Sequence, residues 1–209
     1  MSAHAATLDS PTARIGFTPG KFAMWLLIVA DAMGFIGLIA AYIVVRAGDG
    51  VMKLVDGKEV PAWPPLDIQP ELGIELTSGM TFLLILSSVT MVTALARITK
   101  GDVAGLRKWL LLTMIGGATF LGLQVYEWQH LIHLGMSPKV HNYGAFFFVL
   151  TGYHGLHVFS GVTYLTCIWI QAGRGKYTAE SHSPVELVGL FWHFVDLVWI
   201  ILFTIVYLF

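Results

Sequence analysis

The sequence has little charge and almost no cysteine. Only 12% of its 209 residues are charged, about half the quarter that is usual in soluble domains. The formal net charge is −1, so no basic field is present to attract nucleic acid. The single cysteine, Cys167, lies in an apolar run and has no second cysteine to bond with. These features argue against a soluble domain, a nucleic-acid partner and an internal disulfide.

Nucleotide-binding glycine motifs and solenoid repeats are also absent from the sequence. The first 21 residues are polar and rich in Ser, Thr and Pro, and they lack the pattern of a cleaved signal peptide. We expect residues 1–21 to form a short, loosely ordered tail. We therefore expect no nucleotide-binding or repeat domain in this chain.

Apolar residues are abundant, at 56% of the chain, and they are concentrated in five long runs. Crossing about 30 Å of hydrocarbon takes about 20 residues in a helix, and helices satisfy their own backbone hydrogen bonds in lipid. The sequence therefore predicts an all-α, polytopic membrane protein, with five helices forming a bundle over residues 22–209. The predicted spans are Phe22–Val45, Leu76–Ile98, Trp109–Leu131, Tyr143–Ile170 and Val185–Phe209.

The connections between these runs predict how the helices are arranged. Arg46–Glu75 is the longest and contains four prolines, so we expect an irregular surface loop. The other three are short and place successive helices side by side. Lys and Arg accumulate on the side of the N-terminus, which predicts a cytoplasmic N-terminus and an external C-terminus. The cationic residues are Arg14, Lys21, Arg97, Lys100, Arg107, Lys108, Arg174 and Lys176 on that side, and Arg46, Lys53, Lys58 and Lys139 on the other.

Ionisable side chains within the predicted spans are candidate functional residues, because burying each in lipid costs roughly 3 kcal/mol. At about 1.5 Å of rise per residue, four of them fall at a similar depth and form an inner polar layer. Two more form an outer layer together with Glu75. The inner candidates are Asp31, His157, His193 and Asp196, the outer ones are Glu127 and His130, and His154 lies on the same span as His157.

Two interpretations of these residues are open from the residues alone. His154 or His157 facing His193 from another helix is the arrangement that a membrane haem requires. The alternative is that each histidine hydrogen-bonds a neighbouring helix, and His193 and Asp196 are spaced to satisfy each other. Asp31 is either a proton-pathway or lipid-headgroup contact, or a hydrogen-bond partner of a neighbouring helix, such as a histidine on it.

Several motifs together resemble subunit III of the haem–copper terminal oxidases. They occur in the order and on the spans expected for that family, from Lys21 to the end of the chain. Asp31 falls where the family has an acidic residue that reacts with hydrophobic carbodiimides. The motifs are Gly152–Val158 (GYHGLHV) followed by Ser160-Gly161, Trp192–Trp199 (WHFVDLVW), Gln124–Glu127 (QVYE), and Trp63-Pro64-Pro65, which is similar to the cytochrome c oxidase members.

The resemblance implies a subunit of a proton-translocating oxidase that reduces oxygen to water in aerobic electron transport. It implies that this chain has no catalytic, metal-binding or cofactor-binding residue, and that haem and copper are held by partner subunits. The implied partners are subunit I as the main contact, subunit II, a small subunit IV, bound phospholipid and a respiratory supercomplex, with no nucleic acid. The expected location is the bacterial cytoplasmic (inner) membrane.

Within that family the intramembrane candidates become proton-pathway or lipid contacts that support proton uptake and stability. The chain has five spans where mitochondrial-type members have seven, so the family's lipid cleft would lack one wall unless another subunit supplies it. Two alternatives stay open: a related subunit of a nitric oxide reductase or quinol oxidase, and a stand-alone haem-binding membrane anchor. The WPP motif favours cytochrome c as the electron donor.

Overall fold

The computed structural model describes residues 18–49, 52–55, 58–61, 73–139 and 142–208. Five helices within these ranges are long and apolar enough to cross a membrane, which confirms the predicted all-α membrane fold. They are α1 (Pro19–Asp49), α2 (Ile74–Ile98), α3 (Val103–His133), α4 (Asn142–Gly173) and α5 (Ser183–Phe203), and α5 continues into a π-helical turn at Thr204–Leu208.

The helices extend beyond the apolar runs that predicted them. α3 begins six residues before the predicted start at Trp109, because the Asp102 side chain caps it by accepting a hydrogen bond from the Gly105 amide at 2.8 Å. α1 begins at Pro19, a residue suited to the first helical position. The last three residues of the predicted tail are therefore helical, and residues 1–17 lie outside the described part of the chain.

The connection between α1 and α2 contains an antiparallel hairpin of β1 (Met52–Val55) and β2 (Lys58–Pro61). The prediction of an irregular loop is therefore wrong for these residues. The prediction rested on the prolines and did not consider Asp56-Gly57, which between two short strand-forming runs is a strong hairpin signal. The WPP motif at 63–65 lies outside the described residues.

The helices α2 to α5 form a closed ring, in which α2 packs on α3 and α5, α3 packs on α4, and α4 packs on α5. This confirms that the three short connections join neighbouring helices. Each of these connections contains a glycine with positive φ, a backbone conformation that side chains disfavour. α1 lies outside the ring, against α4 and α5.

The ring is closed around large aromatic side chains that fit against glycine. The Trp192 indole of α5 lies so close to α3 and α4 that a Cβ on Gly117 would be 2.5 Å from it, and one on Gly161 would be 2.9 Å from it. Its Nε1 donates a hydrogen bond to Ser87 Oγ of α2 at 3.0 Å. One side chain thus joins all four helices of the ring.

Candidate functional site

Asp31 of α1 forms a pair with His157 of α4. His157 Nε2 lies 3.5 Å from Asp31 Oδ2, and its Nδ1 lies 2.8 Å from the Tyr153 carbonyl oxygen. A carbonyl oxygen only accepts hydrogen bonds, so Nδ1 carries a proton. With Nδ1 protonated, the contact between His157 Nε2 and the Asp31 carboxyl is favourable only when the two groups share one further proton. That proton is on Nε2, as an ion pair, or on Asp31, as a neutral pair.

The Asp31–His157 pair lies where α1 packs against the ring, and it is not fully covered. The two side chains are 22% and 13% exposed, respectively. Aromatic rings of Phe35 and Tyr153 cover the imidazole, with centroids 5.1 and 4.7 Å from that of His157. The pair therefore has an apolar setting on one side and an accessible edge on the other.

A second polar contact lies between α2 and α5. Ser88 Oγ is 3.0 Å from His193 Nδ1, and Asp196 follows His193 by three residues on α5. Asp196 is 8% exposed, and within the described part of the chain its Oδ1 has no hydrogen-bond partner. The predicted inner layer thus consists of two contacts on different helix pairs. Sequence reasoning missed Ser88.

Glu127 of α3 is the centre of a buried cluster at the end of the bundle that carries the hairpin. It is 2% exposed. Thr77 Oγ1 of α2 lies 2.9 Å from its Oε1, while Gln124 Nε2 and the Tyr207 hydroxyl donate to its Oε2 at 3.2 and 2.9 Å. His130, which the sequence placed in the same outer layer, is exposed. Sequence reasoning missed both hydroxyl partners of Glu127.

The π-helical turn presents Tyr207 to Glu127. A change from α- to π-helical spacing shifts the register of the last residues and leaves carbonyl groups that need other donors. The Tyr143 hydroxyl donates to the Val206 carbonyl at 3.1 Å, and the Tyr42 hydroxyl donates to the Ile205 carbonyl at 3.4 Å. Tyrosines from α4 and α1 therefore stabilise the turn that completes the Glu127 cluster.

His154 lies in the centre of the ring and is fully buried. Its imidazole packs against Trp199 and Phe120, with ring centroids 4.9 and 5.7 Å away, and neither ring nitrogen has a hydrogen-bond partner among the described residues. Within the described ranges, no group of three or more His, Cys, Asp or Glu side chains is arranged to hold a metal ion.

Two grooves lie beside these polar contacts. The first, of about 470 Å³, runs between α1 and α5 and is lined by apolar side chains. The second, of about 330 Å³, leads from Lys21 and Glu186, whose charged groups are 2.6 Å apart, to His193. The first groove is lined by Ala32, Phe35, Ile36, Ile39, Ala40, Ile43, Phe194, Leu197, Val198 and Ile201.

Comparison with known proteins gives a consistent result over nearly the whole chain. The family model for cytochrome c oxidase subunit III matches residues 6–209. A cytochrome c oxidase subunit 3 of Synechocystis sp. is 40% identical over 188 residues, which cover 90% of this chain and 74% of that protein. A probable cytochrome c oxidase subunit 3 of Nocardia farcinica is 38% identical over 185 residues, or 88% of this chain and 84% of that one.

A cytochrome bo(3) ubiquinol oxidase subunit 3 of Pseudomonas putida is 33% identical over 184 residues, which cover 88% of this chain and 83% of that protein. The similarity therefore extends to an oxidase named for a different electron donor. The chain belongs to the cytochrome c oxidase subunit III family.

Proposed function

We propose that this subunit contains no redox centre and supports proton uptake by the catalytic subunit of its oxidase. The chain is a multi-pass membrane subunit of a haem–copper oxidase complex. In the proposal, haem and copper lie in subunits I and II, and this chain packs on subunit I. A small subunit IV and a respiratory supercomplex complete the proposed assembly.

The Asp31–His157 pair carries this proposal. It holds one proton that can reside on either partner, and neither position requires the side chains to separate. It is also partly exposed on the outer surface of the bundle, where another subunit can reach it. Transfer of this proton between the two side chains leaves the pair neutral overall, so the contact stays favourable with the proton on either partner.

We further propose that the bundle lies in the bacterial cytoplasmic membrane with its N-terminus inside. The support is the excess of Lys and Arg on the side of the N-terminus. With this orientation, Asp31 lies roughly 14 Å from the cytoplasmic surface at about 1.5 Å per residue. The pair is then on the side from which the oxidase takes up protons.

A phospholipid is the proposed occupant of the groove between α1 and α5. The groove is apolar along its length, and it lies on the lipid-facing surface, so its chemistry fits an acyl chain. The lipid contact proposed for this chain therefore involves α1 and α5 rather than the histidines of the ring.

The test of the proton role is Asp31→Asn in the assembled oxidase. The Asn amide can donate to His157 Nε2 while His157 Nδ1 still donates to Tyr153, so the contact remains and the exchangeable acid is lost. We expect the initial rate of oxygen reduction to stay near normal. We expect activity to decline several-fold faster during sustained turnover, because proton supply to subunit I becomes limiting.

Glu180, an exposed acid in the α4–α5 connection, provides the matched control. Glu180→Gln should leave both the initial rate and its decline unchanged. A hydrophobic carbodiimide, which attacks protonated carboxyls, should label Asp31 in preference to Glu180. If Asp31→Asn declines at the normal rate and Asp31 is not labelled, the pair is a packing contact and the proposed role is wrong.

The electron donor has two candidates, and we propose cytochrome c. The relatives of 40% and 38% identity are named as cytochrome c oxidases, and the one of 33% identity as a ubiquinol oxidase. Measuring oxygen consumption by the purified complex with reduced cytochrome c and with a ubiquinol separates these two candidates. Faster oxygen consumption with the ubiquinol than with cytochrome c would show that the donor is a quinol.

A further inference from the structure

The Thr77 hydroxyl lies between two acceptors that it cannot serve at the same time. Its oxygen is 2.9 Å from Glu127 Oε1 and 2.8 Å from the Gly73 carbonyl oxygen. A hydroxyl has one hydrogen to donate and two lone pairs with which to accept. If it donates to Glu127, Oε1 is an acceptor and carries no proton. If it donates to Gly73, the hydrogen between Thr77 and Glu127 must come from a protonated Glu127.

In both protonation states of Glu127, its two carboxyl oxygens keep their hydrogen-bond partners. In the ionised state the carboxylate accepts from Thr77, Gln124 and Tyr207, and the Gly73 carbonyl keeps its bond from the Thr77 amide at 2.8 Å. In the protonated state, Oε1–H donates to Thr77 and Oε2 still accepts from the other two side chains. The change requires rotation of one hydroxyl hydrogen and no movement of heavy atoms.

We propose that Glu127 is a proton-binding site, in which the carboxyl gains and loses one proton while the Thr77 hydroxyl turns between Glu127 and Gly73. The ligand is a proton from the aqueous phase at the hairpin end of the bundle. This site goes beyond the proposed role of the Asp31–His157 pair, because it lies inside the ring and involves α2, α3 and the π-helical turn.

The proposed route to the aqueous phase passes the start of α2. Gly73 directly precedes α2 and is half-buried, and a Cβ placed on it would lie 3.9 Å from Glu127 Oε1. The Glu127 carboxyl is thus close to the first residues of α2. Its two neighbours on this route, the Thr77 hydroxyl and the Gly73 carbonyl, are the groups that exchange the hydrogen bond.

The groups that face Glu127 allow either charge state. Its three hydrogen-bond partners are neutral, and Tyr143 of α4 also interacts with it electrostatically. Arg46 of α1 acts on Tyr143, one side chain further away. A directly bonded cation would hold the carboxyl ionised, whereas neutral donors that also fit the protonated form do not.

The test is infrared difference spectroscopy of the assembled complex over the pH range in which it stays intact. We expect a carboxylic-acid C=O band that grows as the pH is lowered and shifts in D₂O. Glu127→Gln should abolish the band. Glu75→Gln, which changes an exposed acid in the first turn of α2, should retain it. Glu127→Gln should also assemble, because the Gln side chain can make the hydrogen bonds of the protonated state.

A matched pair of Thr77 variants tests the hydrogen-bond switch. Thr77→Ser keeps the hydroxyl and should leave the band in place. Thr77→Val removes the acceptor of the acid proton, so the band should move to higher frequency. The proposal is overturned if no band depends on Glu127, or if that band does not change with pH. Identical bands in the Ser and Val variants would also contradict it.

Discussion

At the scale of single residues, two carboxylates within the membrane helices are stabilised by different kinds of partner. Asp31 faces an imidazole, and Glu127 accepts from three neutral donors. A buried polar group without a partner costs about 1–3 kcal/mol. Each partner therefore contributes to the stability of the folded bundle, in addition to any functional role of the carboxylate.

Substitutions in the Glu127 cluster should destabilise the subunit to different extents. Tyr207→Phe removes one donor and should lower the free energy of unfolding by about 1 kcal/mol. Glu127→Ala leaves the Gln124 and Tyr207 donors unpaired, and it should lower that free energy more than Tyr207→Phe does. The measurement is thermal dissociation of the subunit from the purified complex.

Tyr126→Phe is the control for this series, because Tyr126 is adjacent in sequence but exposed on the lipid-facing side. It should have no effect on dissociation. If Glu127→Ala dissociates at the same temperature as the unaltered subunit, the cluster contributes nothing to stability.

Sequence reasoning at this scale identified the acids and histidines but few of their partners. It named a histidine on a neighbouring helix as a possible partner of Asp31, and the structure supplies His157. Thr77 and Ser88 were missed because hydroxyl residues in apolar helices commonly bond the carbonyl four residues earlier. Thr77 does bond Gly73 in this way, and its second contact depends on the packing of α2 on α3.

At the scale of elements, close approach of the helices depends on where glycine faces an aromatic ring. Gly117 and Gly161 face Trp192, whereas Gly122, also on α3, has no neighbouring atom within 4 Å of where its Cβ would be. The same residue type therefore has different roles one to two turns apart on a single helix. Small residues at such crossings allow helix backbones to approach in a membrane.

Gly117→Ala should destabilise the bundle by about 1–3 kcal/mol, because the added methyl group overpacks the contact with Trp192. Gly122→Ala should be neutral or slightly stabilising, since alanine favours a helix over glycine. Thermal dissociation of the two variants from the complex is the comparison. Equal behaviour of the two variants would show that the Trp192 contact adapts without cost.

The spans themselves were predictable because each run of apolar residues exceeds the length needed to cross a bilayer. The helix ends were not, since capping by Asp102 extends α3 through polar residues. The π-helical turn was not predictable either. Its sequence, TIVYL, is as apolar as the helix before it, and the tyrosine contacts to its carbonyls come from distant parts of the chain.

At the scale of the whole molecule, an odd number of spans places the two termini on opposite sides of the membrane. The orientation stays a prediction from the distribution of Lys and Arg. A reporter that is active only outside the cytoplasm should be active when fused after Phe209. The same reporter placed after Glu180, in the α4–α5 connection, should be inactive, and the reverse pattern would show that the orientation is wrong.

The position of α1 outside the ring makes it available for contact with another subunit. α1 contributes Asp31 and one wall of the apolar groove, while the ring of α2 to α5 holds the buried clusters. A peripheral helix can be contacted by another subunit without opening the ring. The proposed contact with subunit I therefore involves the part of the bundle that carries the Asp31–His157 pair.

We propose above that this chain, a subunit III of a haem–copper oxidase, has no redox centre of its own. The most direct measurement is purification of the complex from native membranes through a tag on this chain, with an absorption spectrum and subunit identification, followed by metal analysis of the separated chain. We predict that subunits I and II co-purify with haem and copper, and that the separated chain contains neither metal in stoichiometric amount. A Soret band or stoichiometric iron that stays with the separated chain would contradict this account.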